Sequence, residues 1–164
     1  WLEKRLEAGR SMDIAVWGLR ALNAVLILTN IFFGSYVISL FDSDEVVNWF
    51  PWLACLLSTC LILTAILGVH GSVSENRQQM IAHNALCSAF AVVLVVFGLP
   101  ILWDLPSVAP FFSPEPAFEK SQTQVLNFEA KLVSISIMAL GEAALLMLSV
   151  ALSYLTVRHW DLDG

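Results

Sequence analysis

Charge is scarce in this chain. Only 13% of its 164 residues are Asp, Glu, Lys or Arg, against 58% hydrophobic, where a soluble domain carries about a quarter charged residues. A soluble globule could not cover that much apolar surface. The few charges cluster at the ends and in the connections, which leaves long runs almost free of them, the pattern of a membrane protein. Basic residues are scarcer still, eight Lys and Arg against fourteen Asp and Glu. No basic stripe is interleaved with aromatics, so no nucleic-acid role is expected. The net charge of −6 does not call for a basic partner either, because the acids form no tract and fall on both sides of the expected membrane.

Cysteine is also sparse. Cys55, Cys60 and Cys87 all fall inside expected spans, where none can staple a loop, so no disulfide framework is expected. There is no phosphate-binding glycine loop, no ligand cluster with zinc spacing and no Ser-His-acid set at one depth, and enzymatic activity is therefore not expected. The chain opens at Trp1 rather than Met, so an N-terminal piece is expected upstream. The first apolar run, from about Ala21, is too long for a signal-peptide core and lacks a small-residue cleavage site after it; it reads as a true span.

What the sequence does have is long apolar runs. At about 1.5 Å of rise per residue, about twenty residues cross a hydrocarbon core of roughly 30 Å, and the runs predict spans over 14–41, 50–70, 81–103 and 132–157. The expected fold is all-α: one membrane domain, a four-helix bundle with helices antiparallel and up-down. Residues 1–13 set Trp1, Leu2, Leu6 and Met12 among charges, which gives a helix with one apolar side. It either lies in the membrane interface or is an ordinary solvated helix packed on the rest. Asp42-Ser43-Asp44-Glu45 makes a short acidic connection, and Thr64, Gly68 and Ser72, each four apart, allow two helix backbones to approach closely. The segment 104–131 holds Pro106, Pro110, Pro114 and Pro116 around Phe111 and Phe112. Its first half cannot be a regular helix, whereas Phe118, Val125, Leu126 and Phe128 recur at helical spacing and predict a short amphipathic helix leading to span four.

Lys4, Arg5, Arg10 and Arg20 precede span one, Arg77 lies in the central turn and Arg158 follows span four; Lys120 and Lys131 stand on the other side. The positive-inside rule then puts both termini and the central turn on the cytoplasmic or equivalent side.

Few residues inside the spans can carry chemistry. Glu142 is the one intramembrane acid, and burying it ionised costs several kcal/mol unless it is paired. It reads either as a proton, ion or lipid-headgroup site or as a structural residue bonded to Asn23, Asn30 or Asn84 across the bundle. Asn23 and Asn30, seven apart, share a face that should point inwards. His70 and His83 flank the central turn and could hold a haem or a chlorophyll magnesium, or be plain interfacial side chains. No other metal site is expected. In the turn, Ser74 or Asn76 is expected to cap the third helix, with Glu75 early in it complementing the dipole. The aromatics Trp103, Phe111, Phe112 and Phe118 are more apolar than a free loop should be, and are expected to be covered by lipid or by a partner protein.

The run Leu67-Gly68-Val69-His70-Gly71-Ser72-Val73-Ser74-Glu75-Asn76-Arg77, followed by a third apolar helix, resembles the hairpin between the second and third spans of tetraspanins. There a Gly-rich helix end runs into a short turn containing Glu-Asn. Asn23 early in span one, Glu142 in span four, a short first and a longer second outer loop agree with that family. The chain departs from it in lacking cysteine in 104–131, hence any Cys-Cys-Gly motif, and in lacking the usual acid of span three. The resemblance implies a tetraspanin-like scaffold that associates laterally with other membrane proteins, without the family's partner-recognition loop, and an intramembrane cavity able to take lipid. A narrower expectation is an accessory subunit of a large photosynthetic or respiratory complex, with lipid or chlorophyll bound. A small transporter or channel component built on Glu142 is the other expectation. Plasma membrane, thylakoid and mitochondrial inner membrane all fit.

Overall fold

The computed structural model describes residues 2–40, 49–112 and 122–163, and all of its regular structure there is helical. Helix α1 is Leu2–Leu40, α2 Trp49–Val73, α3 Arg77–Trp103, α4 the single turn Leu105–Val108, and α5 Gln122–Asp163. Within these, Ile14–Ser39, Trp49–Val73, Arg77–Trp103 and Val125–Arg158 are each long and apolar enough to cross a membrane. The helix expected at the N-terminus continues into the first span without a break, though its side chains lie outside the described residues. So do the acidic connection Asp42–Glu45 and Phe118.

The long helices form a four-sided ring in which α1 packs on α2 and α5, and α3 packs on α2 and α5. Their contacts run in opposite directions along each pair. Along α1 and α5, Gly18 faces Leu152, Asn23 faces Ser149 and Asn30 faces Glu142; along α3 and α5, His83 meets Ser149 and Gly98 meets Leu140. Neighbours are therefore antiparallel, as short connections between sequential helices require.

Two features differ from expectation. The amphipathic helix and span four are one helix, α5, because nothing between Gln122 and Leu132 interrupts it and Phe128, with its apolar neighbours, continues the buried stripe into the span. Span four is rich in small residues, as expected of a helix packed inside a bundle, yet not all of them face inwards: Ser149 is buried, but Gly141, Ala144 and Ala151 are exposed.

The interior is layered. At the end formed by the α3–α4 corner, Phe33, Val37, Phe50, Phe112, Phe128 and Leu132 pack together, with Phe50, Phe97 and Phe112 in mutual ring contact at 5.2–6.0 Å between centroids. Next to them an apolar cavity of about 100 Å³ is lined by Phe33, Phe50, Leu94, Phe97 and Ile135 among others. The middle layer is aliphatic and small: Leu26, Leu61, Ala65, Cys87, Ala91, Leu94, Ala143 and Leu146. The third layer, towards the α2–α3 turn, is polar. The outside is apolar as well, with Leu28, Phe32, Trp52, Leu56, Val92, Val96 and Ile137 all exposed. Polar side chains such as Asn23, Asn30, His83, Ser136, Glu142 and Ser149 are buried instead. That reversal of the soluble arrangement suits a lipid exterior, where polar groups are stable only inside the bundle.

Candidate functional site

The α2–α3 turn sets the register of the polar layer. Helix α2 closes with the bond from Asn76 N to Gly71 O, 3.0 Å, the wrapping bond of a Schellman C-cap. The left-handed position such a cap requires is filled by Glu75, at φ 52°. Glu75 therefore stands in the turn, outside the first turn of α3 where the sequence suggested it. Of the two candidate caps, Asn76 is the one used: its Oδ1 accepts from Gln78 N and Gln79 N at 3.0 and 3.2 Å. Ser74 donates back to His70 O. From α1, Arg20 donates to the Ser72 carbonyl at 2.9 Å and to its hydroxyl oxygen at 3.2 Å, satisfying a carbonyl that a helix end leaves without an intrahelical partner.

His83 lies one turn deeper and is fully buried. Its Nδ1 is 2.9 Å from Thr64 O and its Nε2 is 3.0 Å from Ser149 Oγ. A carbonyl only accepts, so Nδ1 carries the proton and donates to Thr64, and Nε2 accepts from the Ser149 hydroxyl. That hydroxyl has one proton, and Asn23 Oδ1 is farther from it, at 3.4 Å. As placed, Asn23 Nδ2 has no partner. An amide turned over, the two ends being distinguished only by their bonding, gives a consistent sequence of donors from Asn23 to Ser149 to His83 to Thr64 O. One residue from each long helix is joined this way. Gly68 makes the layer possible: a Cβ there would stand 2.6 Å from His83 Cε1 and 2.8 Å from both His83 Nδ1 and Asn23 Nδ2.

His83 and His70 are not brought together. His70 is exposed and bonded through Nδ1 to Gln79 Oε1 at 2.8 Å, while both ring nitrogens of His83 are engaged by the protein. Among the described residues no group of three or more His, Cys, Asp or Glu is placed to hold a metal ion.

Glu142 belongs to a different place. Asn30 Nδ2 donates to its Oε2 at 3.2 Å and to Leu26 O at 2.8 Å, and the Thr29 side chain is within hydrogen-bonding reach. Of the three asparagines expected to pair with the acid, Asn30 does so. Asn23 joins the His83 layer, and the Asn84 Oδ1 is buried without a partner. The Glu142 residue is only 6% exposed, yet it forms part of an open groove between α1 and α5 lined by Leu28, Thr29, Phe32, Met138, Gly141 and Leu145. No protein family, curated protein or solved structure matches this chain.

The aromatics of the α3–α4 corner divide in two. Trp103 is 92% and Phe111 75% exposed, as a covered outer surface would need. Phe112, expected beside them, is 6% exposed and packs on Trp49, Phe50 and Phe97. In the tight helical turn over Ala109–Phe111 neighbouring side chains are rotated by about 120°, and this rotation brings the second Phe onto the end of the bundle while the first faces out. Sequence reasoning missed this, and it also missed the Thr64–His83–Ser149 connection. The one signal for the latter was Gly68 in register with Thr64 and Ser72, the mark of something bulky lying against α2.

Proposed function

We propose that this chain is a non-enzymatic, multi-pass membrane protein that acts by associating laterally with other integral membrane proteins, as a scaffold or an accessory subunit, with both termini on the cytoplasmic-equivalent side. The observation that carries the reading is Glu142: a carboxyl in the middle of its span, bonded to Asn30 but set in a groove open to the side. A purely structural acid would be sealed within the bundle, as His83 is. Exposed Trp103 and Phe111 at one end of α3 add a second surface for a partner or for lipid. The tetraspanin-like reading draws support from Gly68, Asn23 and Glu142, all of which make specific interhelical contacts or close approaches. Of the two histidines, a pigment-binding subunit of a photosynthetic or respiratory complex would use His70 as ligand, since both ring nitrogens of His83 are engaged by Thr64 and Ser149.

Purification from the native membrane in mild detergent, with mass spectrometry and an absorbance spectrum of what co-migrates, tests the proposal. A particle containing one or a few other membrane proteins is the expected result, and pigment or redox bands in it would make this chain an accessory subunit of a coloured complex. A protein that migrates alone under every mild condition would refute lateral association and turn attention to transport through Glu142.

A further inference from the structure

We infer that two belts of aromatic side chains seat the bundle in a bilayer, Trp17 and Tyr154 on the side of the α2–α3 turn and Tyr36, Trp52 and Trp103 on the other. The α2–α3 turn then lies flush with one headgroup layer, and α1 and α5 rise past it into water. This seating rests on the chain's being a multi-pass membrane protein and is independent of whether it has protein partners.

Three observations converge on it. The first is level. The packing of Gly18 against Leu152 sets Trp17 and Tyr154 side by side on α1 and α5, and both are exposed. At the other end, the pairs Asn30 with Glu142 and Gly98 with Leu140 bring Tyr36 of α1 and Trp103 of α3 to one level, and Gly34 against Ser58 puts Trp52 about one turn farther out. Trp52 and Trp103 are exposed and Tyr36 is half-buried. Trp17 and Tyr36 are about 28 Å apart along the helix, and the level of Trp52 extends this to about 34 Å, at 1.5 Å per residue. These values bracket a hydrocarbon core of roughly 30 Å, at whose boundaries Trp and Tyr collect because one end of each side chain is apolar and the other polar.

The second is the chemistry between the belts. Large exposed side chains there are apolar on every long helix, as Phe32, Leu56, Val92 and Leu148 show. The exposed hydroxyls of Ser35 and Thr59 turn back to donate to Ile31 O and Cys55 O, so neither needs water. Among the described residues, Arg20 and Glu142 are the only Asp, Glu, Lys or Arg between the belts. Arg20 reaches back to the boundary, its guanidinium 5.7 Å from the centre of the Trp17 ring and bonded to Ser72 O at the end of α2, as a long basic side chain does near the end of a span. Arg158 and Lys131 stand one turn outside Tyr154 and the level of Trp103. A protein partner would cover one face, whereas this pattern runs round all four long helices; a bilayer is the occupant that fits.

The third is projection. The bonds from Arg20 to Ser72 bring the turn after α2 level with Trp17. From there α1 continues to Leu2, about 22 Å farther, and α5 continues from Tyr154 to Asp163, about 13 Å farther. A helix continuous with a span cannot also lie flat in the interface, so the N-terminal segment leaves the membrane along the bundle.

Tryptophan fluorescence of the full chain in phosphatidylcholine vesicles tests this, with lipids brominated either just below the headgroup or near the chain ends, and iodide as the aqueous quencher. The native emission should lose more intensity to the shallow bromines than to the deep ones. Val92→Trp, at an exposed site midway between the belts, should add a component with the reverse order. Gln78→Trp, exposed beside the turn, should add one that follows the shallow bromines. Deep bromines that quench the native emission at least as strongly as shallow ones overturn the inference. So does Gln78→Trp emission that iodide quenches and neither lipid does, since the turn would then stand in water. Val92→Trp emission that no lipid quenches also overturns it, because protein would then cover that face. If no lipid quenches any of the three proteins, the chain is not in the bilayer and the membrane reading falls with the seating; the other outcomes leave that reading in place.

Discussion

Replacing Gly68 by Ala adds one methyl group, and the structure locates what that group would meet. A Cβ at this position would lie 2.6 Å from His83 Cε1 and 2.8 Å from His83 Nδ1 and Asn23 Nδ2, all well inside contact distance. The imidazole cannot swing away, because His83 is held at both nitrogens, by Thr64 and Ser149. Overpacking a filled interior costs about 1–3 kcal/mol. Displacing the imidazole would break its bonds and leave buried polar groups unpaired, at about 1–3 kcal/mol more. Alanine's better helix propensity returns about 0.8–1 kcal/mol. The net expectation is a loss of about 3 kcal/mol. Gly141→Ala is the control, because it brings the same propensity gain into open space and should leave the protein as stable or slightly more so. Unfolding in mixed micelles with increasing dodecyl sulfate, followed by circular dichroism, measures both. In the double variant with His83→Ala the losses should fall short of additive by about 1–2 kcal/mol, since the two sites touch. If Gly68→Ala unfolds at the same point as Gly141→Ala, the close approach of α2 to His83 is wrong and the polar layer with it.

The aromatic layer makes an equally sharp contrast: Phe112→Ala should cost about 3–5 kcal/mol by opening a cavity among Phe50 and Phe97, whereas Phe111→Ala, one residue earlier, should leave the unfolding curve unchanged. In the turn, Asn76→Ala removes the cap from two amides of α3 and should cost about 1 kcal/mol. Glu75→Gly relieves a left-handed position that penalises a side chain by roughly 1–2 kcal/mol, and should stabilise by up to about 1 kcal/mol; both are read from the same unfolding titration.

Orientation of side chains within the spans was only partly legible. The inward direction of Asn23 and Asn30 followed from their seven-residue spacing and the cost of an amide in lipid, and both are buried. The same reasoning could not choose among Asn23, Asn30 and Asn84 as partners of Glu142, because which residues meet across a bundle depends on helix register, and register is set by the packing of all four helices at once. Small residues misled for a related reason. A Gly or Ala can mark a close approach between helices, as at Gly68, but it does so only where helix rotation turns it inwards, and Gly141 and Ala144 are turned outwards.

The sequence by itself determined that this is a chain of four helices long and apolar enough to cross a membrane, since hydropathy and length are additive over residues and every backbone group in lipid must be satisfied within its own helix. It also determined where the α2–α3 hairpin turns, because the polar run that ends α2 and the Asn that caps α3 act locally. Only the tertiary structure decided that His83 is locked between Thr64 and Ser149, that Phe112 turns inwards while Phe111 stays out, and that Glu142 pairs with Asn30 in a groove open to the side. Those are contacts between residues 19 to 112 positions apart in sequence, and no local preference encodes which of several chemically equivalent partners the rotation of each helix will bring within reach.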